Sequence, residues 1–318
     1  MSGALSWGFL GSGRFGARCL ELLAAWRLPS WIVTAPPRPA GRGRAPAPTA
    51  VDAFAAAELA RVPLVRSSDA SSDGAVSALV ERFQADFCFV IDFGQMIREP
   101  LLKQGERVGC LNIHPSRLPE YRGAAPVQRA LMDCRAKTGV TVFKLAQGMD
   151  SGPVLLRREV AIARDDNAET LLKRAAAVGA SAFIEYASRQ PMDGWAFEAQ
   201  DGSLATNAPK IRLEEERIDW ERSSREISGL IRALAPRPGA WTTVRGRRLR
   251  VLAAAPVETD AADCAEPGSL CGVMEGGVAV QTGEGLVSLR EVQPEGKKVQ
   301  RAPDWWNGLR ATRGERLS

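Results

Sequence analysis

Short apolar runs that alternate with helical stretches constrain this 318-residue chain more than any other feature. Residues 5–10, 31–35, 63–65, 87–91 and 108–113 have strand length and buried-strand composition. Helical patterns fall between them, through about Trp26 and near residues 49–60 and 71–84. Further strands are expected at 140–145 and 154–160, with helices opening at Pro126 and spanning 169–187. Alternation of this kind predicts an α/β, doubly wound, Rossmann-like domain over residues 1–190. The pattern then changes. Residues 191–208 are polar and read as a linker. Over 209–318, Ser223 and Glu226 form a capping-box signature before the apolar stripe Ile227, Leu230, Ile231 and Leu234. Short strands follow at 240–244, 249–252, 269–273, 278–282 and 286–292, punctuated by glycines. That spacing predicts a small OB-like β-barrel.

The chain has a single histidine, and it sits in Leu111-Asn112-Ile113-His114-Pro115-Ser116. Pro115 cannot continue a central strand, so Asn112 and His114 fall at a strand exit and share a face. In open parallel sheets that exit is where ligands bind. Asp150 lies in the glycine-flanked loop Gly148-Met149-Asp150-Ser151-Gly152, after another strand. A carboxamide, an imidazole and a carboxylate brought together there form an oxyanion and proton-transfer site. A lone histidine is more often a packing residue, and only the surrounding motif argues otherwise.

Composition excludes several classes. Charged residues interrupt the apolar start, so it is not a signal peptide, and no apolar run is long enough to span a bilayer. A cytoplasmic enzyme without membrane attachment is expected, acting as a monomer. Six cysteines without C-x-x-C spacing read as reduced thiols. With one histidine beside them, no metal site is expected. Gly11-x-Gly13-x-x-Gly16 lies between a strand and a helix, the setting of a dinucleotide fingerprint. The acidic residue required near residues 34–37 is missing, so a tight strand-to-helix turn is the better reading and no nicotinamide cofactor is expected.

Residues 36–48 hold Arg38, Arg42 and Arg44 among prolines and glycines, with no acidic residue from Leu22 through Val51. The segment is either a probe for nucleic acid or a solvated insertion. Arg247 and Arg248 lie in a second basic run, and Lys297 and Lys298 in a third. Such runs are usually solvated faces, but several in a chain of net charge +5 favour a polyanionic partner.

These residues resemble the methionyl-tRNA formyltransferase family. The likeness is carried by residues 109–128, from Gly109 to Gln128, then by Thr138-Gly139-Val140-Thr141-Val142 and Gly148-Met149-Asp150-Ser151-Gly152. Arg38-Pro39-Ala40-Gly41-Arg42-Gly43 resembles its tRNA-probing loop. Ala208-Pro209-Lys210, Arg217-Ile218-Asp219-Trp220 and Pro294-x-Gly296-Lys297-Lys298 resemble its linker and C-terminal domain. The resemblance implies formyl transfer from 10-formyltetrahydrofolate, a co-substrate, to the α-amino group of initiator Met-tRNA. It implies Asn112, His114 and Asp150 as catalytic residues. Folate would be held by Ser116, Arg117, Leu118 and Pro119, with Phe93, Gly94 and Ile97 lining the pterin pocket. tRNA would meet Arg38, Arg42, Arg44, Lys210, Arg247 and Arg248, and the C-terminal domain would bind tRNA.

The chain departs from the family in places. Arg117 replaces a usual leucine, Asp92-Phe93 a usual Ala-Tyr, Gly11-Ser12-Gly13 a frequent Gly-Thr-Pro, and Arg237 a common tryptophan. An amino-sugar formyltransferase would share the first domain but not the basic loop. A glycinamide ribonucleotide formyltransferase would normally stop near the end of that domain. An NADP-dependent oxidoreductase would rest on the glycine turn, with Arg38 as a stand-in for 2′-phosphate recognition; the missing acid and the intact Asn–His–Asp pattern count against it.

Overall fold

The computed structural model describes residues 5–40, 45–99, 101–103, 108–257 and 266–318. The chain folds into two compact units that do not follow chain order. The first holds residues 1–123, 138–160 and 172–207; the second holds 124–137, 161–171 and 208–318.

The first unit is built on a seven-stranded sheet. Its strands are β1 (Trp7–Gly11), β2 (Trp31–Thr34), β5 (Leu64–Arg66), β6 (Phe87–Ile91), β7 (Gly109–His114), β8 (Lys137–Lys144) and β9 (Val154–Ala161). The intervening β3 (Arg38–Ala40) and β4 (Ala45–Ala47) form a separate two-stranded hairpin. The sheet order is β5-β2-β1-β6-β7-β8-β9. The first five strands are mutually parallel, and β8 returns antiparallel to β7. Helix α4 (Pro126–Met132), between β7 and β8, packs on α6 (Ser224–Leu234) in the second unit. Because β7 and β8 are antiparallel, the link between them is not a parallel crossover.

Helices α1 (Arg14–Trp26), α2 (Ala50–Glu58), α3 (Gly74–Phe83) and α5 (Ala168–Arg189) occupy the expected places. Thr49 and Asp73 cap α2 and α3 through their side chains. The buried face of β1 and β6 carries Trp7, Phe9, Phe87 and Phe89. Trp7 stands edge-on to Phe9 and Phe89, Phe87 and Phe89 stand edge-on to Phe183 of α5 with centroids 5.7 and 4.8 Å away, and Phe87 meets Trp195 at a tilt at 5.6 Å.

The glycine turn before α1 is explained by close packing. A Cβ on Gly16 would lie 2.5 Å from the Ile91 carbonyl, and one on Gly13 would overlap the Asp92 carboxylate. Asp92 also supplies acceptors at the head of α1. Its carbonyl takes the amides of Ser12 and Gly13, and its carboxylate takes that of Phe15 at 3.2 Å. Desolvation against the turn raises the Asp92 carboxyl above its ordinary value, opposed by the amides of Gly16 and Phe15.

In the second unit α6 opens with the expected reciprocal cap between Ser223 and Glu226. It buries Ile227, Ile231 and Leu234 against an antiparallel sheet. That sheet runs β10 (Ala240–Val244), β11 (Arg247–Val257), β14 (Leu286–Pro294), β13 (Gly277–Gln281), β12 (Leu270–Met274), with β15 (Gln300–Arg301) on β14. Among the described residues β10 and β12 do not pair, so the sheet is not a closed barrel. Helix α7 (Ala302–Leu309), absent from the sequence reading, adds Trp305 to the core.

Cys19, Cys88, Cys110 and Cys134 are free thiols. Cys271 is disulfide-bonded, which corrects the reading of all six as reduced. The missing C-x-x-C spacing spoke to metal ligation and could not exclude pairing at longer spacing. Among the described residues no helix is long and apolar enough to cross a membrane.

Candidate active site

Strand β7 ends where the sequence said it must, at His114 before Pro115. Asn112 is half-buried and His114 is buried, two positions apart on one face. Among the described residues the Asn112 carboxamide has no hydrogen-bond partner, so its donors are free for a ligand. The imidazole is held by its surroundings. Its Nε2 lies 3.0 Å from the Tyr121 carbonyl oxygen, and its ring stands edge-on to Phe143. A carbonyl only accepts, so Nε2 carries the hydrogen and Nδ1 is the nitrogen left to exchange a proton. That Nδ1 is 3.7 Å from Asp150 Oδ2. The same oxygen accepts the Gly123 amide at 2.8 Å, which fixes the carboxylate's orientation.

Two residues of this cluster have backbone that non-glycine residues rarely adopt, Tyr121 at φ +57° and Asp150 at φ +49°. Such conformations persist where neighbours over-determine them. Sequence reasoning missed those neighbours. Gln200 donates from Nε2 to the carbonyls of Asp150 (2.8 Å) and Gly152 (2.7 Å). Its Oε1 accepts from Arg122 Nε (3.1 Å) and Nη2 (2.8 Å). Thr206 accepts the Tyr121 amide on Oγ1 at 2.8 Å and the Arg122 amide on its carbonyl at 2.8 Å. These contacts join residues 48–85 positions apart, and no local pattern signals them.

The expected folate turn is mostly internal in its side chains. Ser116 is fully buried and its hydroxyl donates to the Glu120 carbonyl at 2.6 Å. Leu118 packs on Phe143 and Val154, and its amide donates to Thr141 Oγ1 at 3.0 Å. Pro119 follows a cis peptide bond and is half-buried. Arg117 alone of the four is exposed. Phe93 and Ile97 are buried in the core beside Leu10 and Val90, while Gly94 is exposed with φ +71°. Most backbone groups of residues 116–119 are also bonded internally, Ser116 and Leu118 through both amide and carbonyl, which leaves the Arg117 side chain and the exposed Gly94 as the accessible parts of these segments.

The expected tRNA residues are scattered. Arg38 is exposed on β3. Arg42 and Arg44 lie outside the described residues. Lys210, Arg247 and Arg248 are exposed in the second unit. There Arg248 stacks on Trp241, its guanidinium carbon 4.3 Å from the ring centroid, and Arg217 approaches the same ring at 5.7 Å.

Comparison with known proteins places the chain. Residues 24–187 match the model of the formyl transferase family and residues 210–310 that of the formyl transferase C-terminal domain. A methionyl-tRNA formyltransferase of Anaeromyxobacter dehalogenans is 38% identical over 307 residues, covering 96% of this chain and 97% of that protein. This chain belongs to the methionyl-tRNA formyltransferase family. Its fold is similar to two solved structures. One is an N-formyltransferase of Helicobacter canadensis in complex with folinic acid and dTDP-3-aminofucose (TM-score 0.63, 15% identity, covering 92% of this chain and 100% of that one). The other is a methionyl-tRNA formyltransferase of Clostridium thermocellum (TM-score 0.59, 15% identity, covering 92% and 99%). In the family's terms, the C-terminal part here is an antiparallel sheet domain following a Rossmann-like one.

Proposed function

We propose that this chain transfers the formyl group of 10-formyltetrahydrofolate to the α-amino group of methionine on initiator Met-tRNA, giving the N-formylmethionyl-tRNA used to start translation. The observation that carries the reading is the His114–Asp150 pair, 3.7 Å apart, beside an unpartnered Asn112 carboxamide on the same strand. That donor set fits an acyl donor: a free N–H where a carbonyl oxygen gains charge, and a base for an attacking amine. The folate co-substrate supplies an activated formyl carbon when bound. Asn112 donates a hydrogen bond to the formyl oxygen as it becomes an oxyanion. His114 stabilises that charge and moves a proton at Nδ1. Asp150 orients the imidazole and takes the proton released by the amine, directly or through a water. No side chain needs to become covalently attached.

Ser116, Arg117, Leu118 and Pro119 form the folate-binding turn in this reading, and Phe93, Gly94 and Ile97 line the pterin pocket, largely through backbone groups. Arg38, Arg42, Arg44, Lys210, Arg247 and Arg248 contact tRNA. The catalytic domain is residues 1–190, the linker 191–208, and the tRNA-binding domain 209–318. An OB-like barrel for the last of these is supported by the segment after α7, which bonds to both edge strands of the sheet. Ser318 exchanges backbone hydrogen bonds with Thr243 on β10, and Gly314 and Glu315 do so with Leu270 on β12. The protein acts as a monomer in the cytoplasm.

The test is a transfer assay with 10-formyltetrahydrofolate and Met-tRNA. Asn112→Ala and His114→Ala should each lower kcat by about a hundredfold to a thousandfold while tRNA affinity stays unchanged. Near-wild-type turnover in either variant overturns the reading.

A further inference from the structure

We infer that residues 195–207 form a strap that sets the spacing between His114 and Asp150, with Gln200 and Thr206 as its positioning residues. The inference rests on the catalytic reading above and extends it to residues that touch no substrate. Composition marks the segment as part of a polar linker, yet it is fastened along its length. Trp195 sits in the aromatic core against Phe87 and Phe183. Glu198 exchanges backbone hydrogen bonds with Val154 at 2.7 and 2.9 Å. Gln200 and Thr206 then grip the two loops that carry the site, one on each side of the His–Asp pair.

On the carboxylate side, Gln200 Nε2 holds the carbonyls of Asp150 and Gly152, keeping the turn in the left-handed conformation that points Asp150 at the ring. On the imidazole side, Thr206 holds the amides of Tyr121 and Arg122. Tyr121 offers its carbonyl to Nε2, and two residues later Gly123 offers its amide to Asp150 Oδ2. The guanidinium of Arg122 closes the circuit on Gln200 Oε1.

The chemistry of the circuit selects glutamine. A guanidinium only donates and carbonyls only accept, so the bridging side chain must accept at one end and donate at the other without net charge. Glutamate would satisfy Arg122 but turn an oxygen on two carbonyl oxygens.

Four variants and a control test this by steady-state kinetics with both substrates. Gln200→Ala and Gln200→Glu should lower kcat about 10- to 100-fold, the range that a misplacement of about 1 Å produces. KM for 10-formyltetrahydrofolate and for Met-tRNA should stay within about twofold, because ground-state binding is untouched. Thr206→Val, which keeps the shape and removes the acceptor, should behave alike, and Thr206→Ser should recover most of kcat. A residue needed only for folding would not split kcat from KM in this way, nor need a hydroxyl at position 206. The Thr206 pair decides the matter if Gln200→Ala loses its fold by circular dichroism. Wild-type kcat in folded Gln200→Glu and Thr206→Val, or a Thr206→Ser enzyme as slow as Thr206→Val, overturns the strap. Asp150→Asn is the control. If it is slow while the strap variants are fast, only the strap inference fails; if it turns over normally, the catalytic reading itself fails.

Discussion

Residues 191–207 and residues 36–48 are both irregular, turn-rich connections, yet they are tied down in different ways. The first is held by Trp195 in the aromatic core, by Glu198 on Val154, and by Gln200 and Thr206 on the site loops. The second, where it is described, pairs only with itself, β3 against β4. Arg38 is exposed there and makes no ion pair among the described residues. A connection can be polar because it meets water or because its polar groups meet the backbone of something else. Composition does not separate the two cases, and long-range hydrogen bonds do. In the reading proposed here the first kind would hold a catalytic geometry and the second would offer its charges to a partner.

The sharpest way to break that contrast is to remove the anchor of the first connection. Trp195 is 8% exposed, and its indole N–H donates to the Gln190 carbonyl at 3.3 Å. Trp195→Ala should cost about 3–5 kcal/mol of stability, the usual cost of deleting a buried aromatic. Chemical denaturation measures it. A loss under about 1 kcal/mol would mean that the segment is not fastened through this ring.

A smaller effect is expected just beyond, in the second unit, where residues 209–216 have a clamp of their own. Arg129 donates to the carbonyls of Pro209 and Lys210 and binds Glu215 through two nitrogens at 2.5 and 3.1 Å. The Arg129 guanidinium holds the Glu215 carboxyl down at about 2. The folded value lies below the unfolded one, so the pair's stabilisation is present above the unfolded value, near 4.5, and is lost as pH falls toward 2. Glu215→Gln should therefore cost roughly 1–2 kcal/mol near neutral pH, discounted for partial exposure. The gap to the wild-type protein should narrow as pH falls below about 4.5 and close only near pH 2. Unfolding of both proteins across that range measures it, and a gap independent of pH would show that the clamp does not act through its charge.

The same contrast separates what could be read in the sequence from what could not. The end of β7 was legible because Pro115 stops a strand chemically, and α6 was legible because Ser223 and Glu226 cap it locally. Both signals lie within a few residues of what they determine. The antiparallel turn of β8 was not legible, because apolar patterning carries no direction. Helix α7 was missed because no side chain caps it; Pro303 in its first turn was the available sign. His114 could be singled out because it ends a strand, Asn112 because it lies two positions earlier on the same face, and Asp150 because it sits between glycines. Gln200 and Thr206 could not, since their partners lie 48–85 residues away. Asp92 looked like a simple departure from the family. Its function at the head of α1 became visible only when the turn amides were seen to bond to it.

The smallest effect on stability is expected in the basic hairpin, where Arg38→Ala should change it by no more than about 0.5 kcal/mol, as exposed and unpaired charges do. Its effect should appear with tRNA instead. A guanidinium that meets a phosphate releases counterions. Removing it should lower tRNA-dependent kcat/KM and flatten its log–log salt dependence by about 0.7 to 0.9 of a unit, less on a single strand than on a duplex. A base stacked on the guanidinium would weaken binding with little change in slope. Arg42, outside the described residues, is expected from the sequence to be the most damaging position of the loop, with Arg38 and Arg44 milder. Initial rates for the three alanine variants across a salt series measure all of this, with folate binding as the internal control. If all three match the wild-type enzyme at every salt concentration, the hairpin's charges meet only water. The two connections would then differ in how they are anchored but not in having separate functions.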